Sequence, residues 1–282
     1  MPAGNTEISD IVFSARSGSA RAIVLEWNTA DPSGQKAMAA MWDVHVRLGG
    51  FTGSGIQTSN CKALSGHATA PCVAAFIGLH IINKISWYLA LFCSYGAADA
   101  YFNVQATTYL KGTWVWTADH DLDDPKQAQI DVYTGRGIVS ESASGPVWLI
   151  GTASEHAAIV NYNFANPQNV YAGLIQTETA YYQPTPGAPS PFTISTTYHD
   201  PTLPNGATHT MTWGLTIQSS SNILIYGAGH YPFSQNYSQT YLNTNNCQTS
   251  TVQVTSRLMS TSTVYRRSGA STCLRSISYV VD

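Results

Sequence analysis

Short segments of strand-forming residues recur along this chain, every ten to twelve positions in its middle, and that rhythm narrows the fold more than any other feature. The clearest run is Gly137–Glu178, where apolar and β-branched stretches alternate with corners of Ser, Asn and Gly. Other candidate strands are Met41–Leu48, Thr113–Ala118, Ile130–Tyr133, Pro146–Ile150, Ala158–Asn163, Asn169–Gln176, Thr210–Ile217, Asn222–Tyr226 and Thr251–Thr255. They are rich in Val, Ile, Trp, Tyr and Thr and are bounded by turn residues. Helical periodicity is weak, and Thr69–His80 is the best helix candidate. The pattern predicts an all-β chain. A sandwich, a barrel and a parallel β-helix stay open. A β-helix builds coils of roughly 20–25 residues from two or three short strands. The 137–178 spacing fits that design without a strict sequence repeat.

The polar half of the chain is nearly free of charge. Only 10% of its 282 residues are charged, against about 25% in an average soluble domain. Thirteen basic and sixteen acidic residues leave a net charge of −3. No basic block exists, which argues against a nucleic-acid partner. Polarity comes instead from Ser, Thr, Asn, Gln and Tyr, a surface suited to sugars. The Pro-rich run Pro184–Pro204 reads as an extended surface crossing, because proline cannot donate to a strand ladder. Val73–Cys93 is strongly apolar, yet His80, Asn83, Lys84 and Ser86 lie inside it and argue against a membrane span.

Five cysteines are present: Cys61, Cys72, Cys93, Cys247 and Cys273. Cys61 and Cys72 flank a loop with Gly66 and Pro71, which suits a disulfide in an oxidising compartment. Asn236-Tyr237-Ser238 is a glycosylation sequon. Met1–Asp10 has no apolar signal core. The secretory features therefore predict that the natural protein begins further upstream.

Carboxylates are few, which makes their spacing informative. Glu155 and Glu178 stand 23 residues apart, about one β-helix coil. Neighbouring coils stack at ~4.8 Å, so both side chains would share one face. With some splay they would reach the ~6.5–9.5 Å that an inverting glycosidase uses to hold its water. Glu178 follows an apolar stretch and precedes Tyr181 and Tyr182, so burial is expected to raise its pKa, as a general acid requires. Two unrelated surface glutamates at this spacing are the plain alternative. Trp114, Trp116, Trp148, Trp213, Tyr181 and Tyr182 serve either as sugar platforms or as core. The acidic run 119–124 lacks the Gly and terminal Glu of a calcium loop, so no metal is expected. It reads as a polar turn with sugar-binding carboxylates. His156 either orients Glu155 or the substrate, or is structural. No G-x-S-x-G, H-E-x-x-H, P-loop or dinucleotide fingerprint occurs.

Several long motifs resemble glycoside hydrolase family 55: Met41-Trp-Asp-Val-His-Val-Arg-Leu-Gly-Gly50, Trp114–Asp123, Gly145–His156, Gly173–Thr179 with Tyr181–Pro184, and Ile225–Gly229. The resemblance implies a secreted fungal exo-β-1,3-glucanase that inverts at the anomeric carbon, needs no cofactor and acts as a monomer on β-1,3-glucan. It implies two tandem right-handed parallel β-helices, of which this chain covers the second. It places the general acid on Glu178, a water-holding role on Glu155, and sugar contacts on Tyr181, Trp116, Asp121 and His156. Residues 1–248 would form this β-helix, with an atypical insert at about 81–106 and a divergent tail at 249–282. Ala157 replaces the family's second histidine. A fragment that binds glucan without cleaving it is the rival reading. A uronate lyase is disfavoured by the scarcity of Lys and Arg.

Overall fold

The computed structural model describes residues 6–28, 39–81, 89–90, 100–102, 107–143, 146–203, 211–232, 234–238, 240, 252–255 and 275–281. Two sheets dominate these residues. The first runs in the order β1 (Thr6–Phe13), β3 (Ala39–Val46), β6 (Leu89–Ala90), β8 (Thr108–Lys111), β12 (Val147–Glu155), β14 (Gln168–Glu178), β16 (Ser221–Tyr231) and β18 (Arg275–Val281). A short strand, β9 (Trp114–Trp116), also pairs with β12. The second sheet runs β17 (Val252–Thr255), β15 (Trp213–Gln218), β13 (Val160–Ala165), β11 (Arg136–Ser140), β7 (Ala100–Phe102), β5 (Ile77–Ile81) and β2 (Ile23–Trp27). A small pair joins β4 (Val73–Ala75) to β10 (Tyr133–Thr134). From β11 onward, successive strands alternate between the two large sheets and advance one position in each. Every described pairing between named strands is parallel except β16 with β18.

Parallel in-register pairing stacks like residues into columns. Val147, Val170 and Ile223 form one column, and Leu110, Leu149, Ala172 and Ile225 another, all buried. Ile138, Tyr162, Phe164, Leu215 and Ile217 face them from the second sheet and complete one core. Burial of such apolar surface is the main stabilising term, at about 25 cal/mol per Å².

The long strands of the first sheet carry a left-handed residue at one shared level. Gly112, Gly151, Leu174 and Gly227 have φ of 61°, 60°, 58° and 73°, and their preceding residues pair in register. Glycine accepts this conformation without cost, and leucine does not. A second shared level holds Asn169 and Asn222, with φ of 60° and 54°. Asn222 donates through Nδ2 to Oδ1 of Asn169 at 3.0 Å. Asparagine tolerates this region better than other side chains.

The Pro-rich crossing covers the outer face of the second sheet. Arg136, buried on that face, pairs with the buried Asp200 through Nε at 2.6 Å and through its terminal nitrogen. Phe76 and Tyr198 pack their rings beside the guanidinium at 5.3 and 5.0 Å. Asn163 and Gln218 each donate to the carbonyl of His199 at 3.0 Å.

The expected helix at Thr69–His80 does not form. A single 3-10 turn, Ala70–Cys72, leads into β4 and β5. Pro71 opens that turn, Cys72 is joined to Cys61, and buried Val73 and Ile77 extend into sheets. Tertiary pairing outweighs a weak local helical preference. No helix among the described residues is long and apolar enough to cross a membrane. The insert at 81–106 falls outside the described residues apart from Ile81, β6 and β7, as do Cys93, Cys247 and Cys273. Within the stretch after 248, β17 and β18 each join one of the large sheets.

Candidate active site

Four strands end together at the C-terminal edge of the first sheet. Their last residues form one row: Trp116 pairs with Glu155, Glu155 with Glu178, and Glu178 with Tyr231. The 23-residue spacing thus corresponds to one step between neighbouring parallel strands. A second row two residues upstream is Trp114, Ala153, Gln176 and Gly229. Period-2 alternation puts both rows on the outer face.

Glu155 lies deepest, 3% exposed. Oε2 accepts from Trp114 Nε1 at 2.8 Å and Oε1 from Gln176 Nε2 at 2.9 Å. Burial and the neighbouring charge of Glu178 push its carboxyl up to about 7, against the opposing pull of His156 and Trp114. Glu178 is more open. Oε2 accepts from the Tyr181 hydroxyl at 2.5 Å and lies 3.5 Å from Nε2 of His156. Its carbonyl accepts from the His156 amide at 3.1 Å and from Asn161 Nδ2 at 2.9 Å, which fixes the backbone beneath the carboxylate. Glu178 is partly buried beside Tyr181, as expected, and Glu155 is the more deeply buried of the two. The carboxylates stand close together: one ligand atom from each of Glu155, His156 and Glu178 lies within 4.8 Å of the others.

His156 sits in the left-handed region at φ 65° and is buried. Burial pulls its pKa down. The hydrogen bond to Glu178 and the charges of Asp119, Glu178 and Glu155 outweigh that and hold it at about 9. Nδ1 is 3.0 Å from both Trp116 Nε1 and the Thr117 carbonyl. An indole only donates and a carbonyl only accepts, so the ring serves one or the other. The cation donates to Thr117 and Glu178, and the neutral ring accepts from Trp116. Glu155, His156 and Glu178 are near enough to converge on a cation, but each is already engaged within the site.

The rings of Trp114 and Trp116 stack with centroids 5.1 Å apart. Tyr181 packs on His156 at 4.3 Å. Of the expected sugar-contacting residues, Trp116, Tyr181 and His156 come together with the two glutamates. Asp121 does not. Its carboxylate accepts from the amide and hydroxyl of Thr58 at 3.0 and 3.1 Å and pins the neighbouring loop. Asp119, two residues earlier, supplies the acid charge felt at His156 and pairs with His120 at 2.9 Å. Tyr182 and Trp213 are buried packing residues. Tyr231 and Gln176 are the members that sequence reasoning missed. Only the strand register, which places them beside Glu178 and Ala153, reveals them.

A buried carboxyl held up to about 7 beside a more open one, with aromatic rings around them, is equipped to exchange a proton with an uncharged, hydroxyl-rich ligand. No family model matches the chain. Among curated proteins it is 39% identical over 256 residues to "Probable glucan endo-1,3-beta-glucosidase" of Arthroderma benhamiae, covering 89% of this chain and 26% of that protein. It is 37% identical over 234 residues to "Glucan 1,3-beta-glucosidase" of Cochliobolus carbonum, covering 83% of this chain and 26% of that one. It is also 39% identical over 228 residues to "Non-secreted LysM effector LysM15" of Penicillium expansum, covering 79% and 14%. The chain thus spans about a quarter or less of the length of these relatives.

Proposed function

We propose that this chain carries the acid-bearing portion of a β-1,3-glucan hydrolase of glycoside hydrolase family 55 type, which acts in exo mode on the glucan as a secreted, monomeric protein with neither membrane nor nucleic acid as partner. The observation that carries the reading is the in-register pair Glu155 and Glu178, lying within 4.8 Å and flanked by Trp114, Trp116 and Tyr181. Similarity to two proteins named as glucan 1,3-β-glucosidases supports the substrate class. The alternation of parallel strands between two sheets supports a right-handed parallel β-helix, with residues 1–248 as its body. The disulfide and the exposed sequon residue Asn236 support an extracellular setting.

Glu178 is the member that reaches substrate. It protonates the leaving glycosidic oxygen as the bond to the anomeric carbon breaks. Glu155, held up to about 7, stands beside it as a proton store. Glu155 is buried and held by Trp114 and Gln176 while Glu178 is the more open of the two, which favours a route without a covalent glycosyl-enzyme on Glu155. Water is then the nucleophile and a single displacement inverts the centre. Because the carboxylates are neighbours on one face, the group that orients this water lies across the substrate from them.

Glucose release from laminarin by the chain and by Glu178→Gln tests the proposal. The expected result is release by the parent and a loss of about 10²–10⁴-fold in the variant. Equal release by both would remove Glu178 as the acid. Retention of laminarin without release would favour the rival reading, a glucan-binding piece. That reading draws on the exposed apolar side chains Leu174, Tyr171, Leu224 and Tyr226 of the first sheet and on the short coverage of the relatives.

A further inference from the structure

Tyr231 ends β16 directly beside Glu178, and its ring does not stand up from the sheet. A Cβ built on Gly229 would meet Tyr231 Cε2 and its hydroxyl at 3.0 Å and Cζ at 3.2 Å. The ring therefore lies down over the bare backbone of Gly229, two residues upstream on the same face. The hydroxyl end of the ring thus takes the space that a side chain at position 229 would need. Gly229 in turn pairs with Gln176, which holds Glu155. At the other end of the same row stands Trp114, half-exposed and stacked on Trp116. Three strand spacings separate Trp114 from Gly229, or ~14 Å. The proton-bearing pair lies between them.

We propose that Tyr231, laid flat by Gly229, is a sugar-stacking subsite, and that the ligand crosses the strands from Tyr231 to Trp114. One glucosyl unit sits on the Tyr231 ring and the next extends toward Trp114, so that the bond joining them passes over Glu178. A pyranose presents a flat face of C–H groups, and an aromatic face with its negative quadrupole is its natural partner. The inference rests on the glucan reading and adds the direction of the chain and the residue that holds one end of it.

The test uses the full chain with Glu178→Gln in the background, so that oligosaccharide is bound and not consumed. Titration with laminaritriose is followed by calorimetry for this parent and with Tyr231→Ala, Tyr231→Phe and Gly229→Ala added singly. Tyr231→Ala is expected to weaken binding by at least about tenfold, and Tyr231→Phe to retain it. Gly229→Ala, which keeps the tyrosine but lifts the ring, should resemble Tyr231→Ala. Unchanged affinity in Tyr231→Ala and Gly229→Ala overturns the proposal, as does a folded parent that binds no laminari-oligosaccharide. Thermal melting of each variant separates lost binding from lost fold. Tyrosine-dependent binding by a chain that releases no glucose would keep the subsite and reject the hydrolase. Glucose release with KM unmoved by Tyr231→Ala would do the reverse.

Discussion

At the scale of single residues, the site works through unequal burial. Glu155 and Glu178 are chemically identical, and a difference of one strand position leaves one buried and the other more open. The adjacency of the pair was legible in the sequence, because 23 residues matches one strand-to-strand step. Which member is buried was not, since Trp114 and Gln176 reach Glu155 from two other strands. Asp121 shows the same limit. An acid in an acidic turn resembles a ligand-binding group until its partners in the 57–58 segment are seen. Residue-level strain yields a direct prediction at Leu174, which is 70% exposed with φ 58°. Leu174→Gly removes the strain with little loss of burial, and is expected to stabilise the chain by about 0.5–1 kcal/mol. Gly227→Ala in the next strand places a Cβ 2.9 Å from Leu174 Cδ2 at φ 73° and is expected to destabilise. Urea unfolding of the two variants, read as midpoint shifts of opposite sign, checks both.

The elements show why a proline-rich stretch can be ordered. The described residues of the crossing make no ladder, as its composition dictated, and a buried ion pair helps to tie it to the second sheet. The side chain of Asp200 is fully buried against Arg136, and also accepts from the Ser195 amide at 2.7 Å. Removing one partner of a buried pair leaves an uncompensated charge, so Arg136→Met should cost about 3–5 kcal/mol. Limited proteolysis should then cut within 184–203 before the rest of the chain. Cleavage elsewhere first would mean that the crossing is held by its other contacts. The element missed outright was Thr69–His80, where short apolar runs are compatible with helix and strand alike. Pairing with β2 and β10 decided it.

For the whole molecule, buried titrating groups couple fold to pH in opposite senses. His230 is buried, shares a hydrogen bond with Thr177 at 2.9 Å, and burial pulls its pKa down to about 4. Unfolded, it titrates near 6.5. Between those values the unfolded chain binds more protons, so stability falls as pH drops from 6.5 through 4, by about 3 kcal/mol in all. Glu155 and His156 have raised values of about 7 and 9. Their contributions are complete below about 4.5 and 6.5 and fade as pH rises through 7 and 9. Stability should peak in the mildly acidic range. Denaturant titrations from pH 4 to 9 check this, and His230→Gln should flatten the acidic limb alone.

The sequence by itself determined that the chain is all-β, that its charges are sparse, and that two glutamates stand one structural step apart. These are local or periodic properties, written in side-chain type and spacing. Only the tertiary structure decided the register that sets Tyr231 beside Glu178, the ring that Gly229 lets lie flat, and the depth that separates Glu155 from its partner. Each depends on which strands become neighbours, and in a parallel sheet those neighbours come from segments twenty to fifty residues apart. No window along the chain contains both members of such a contact.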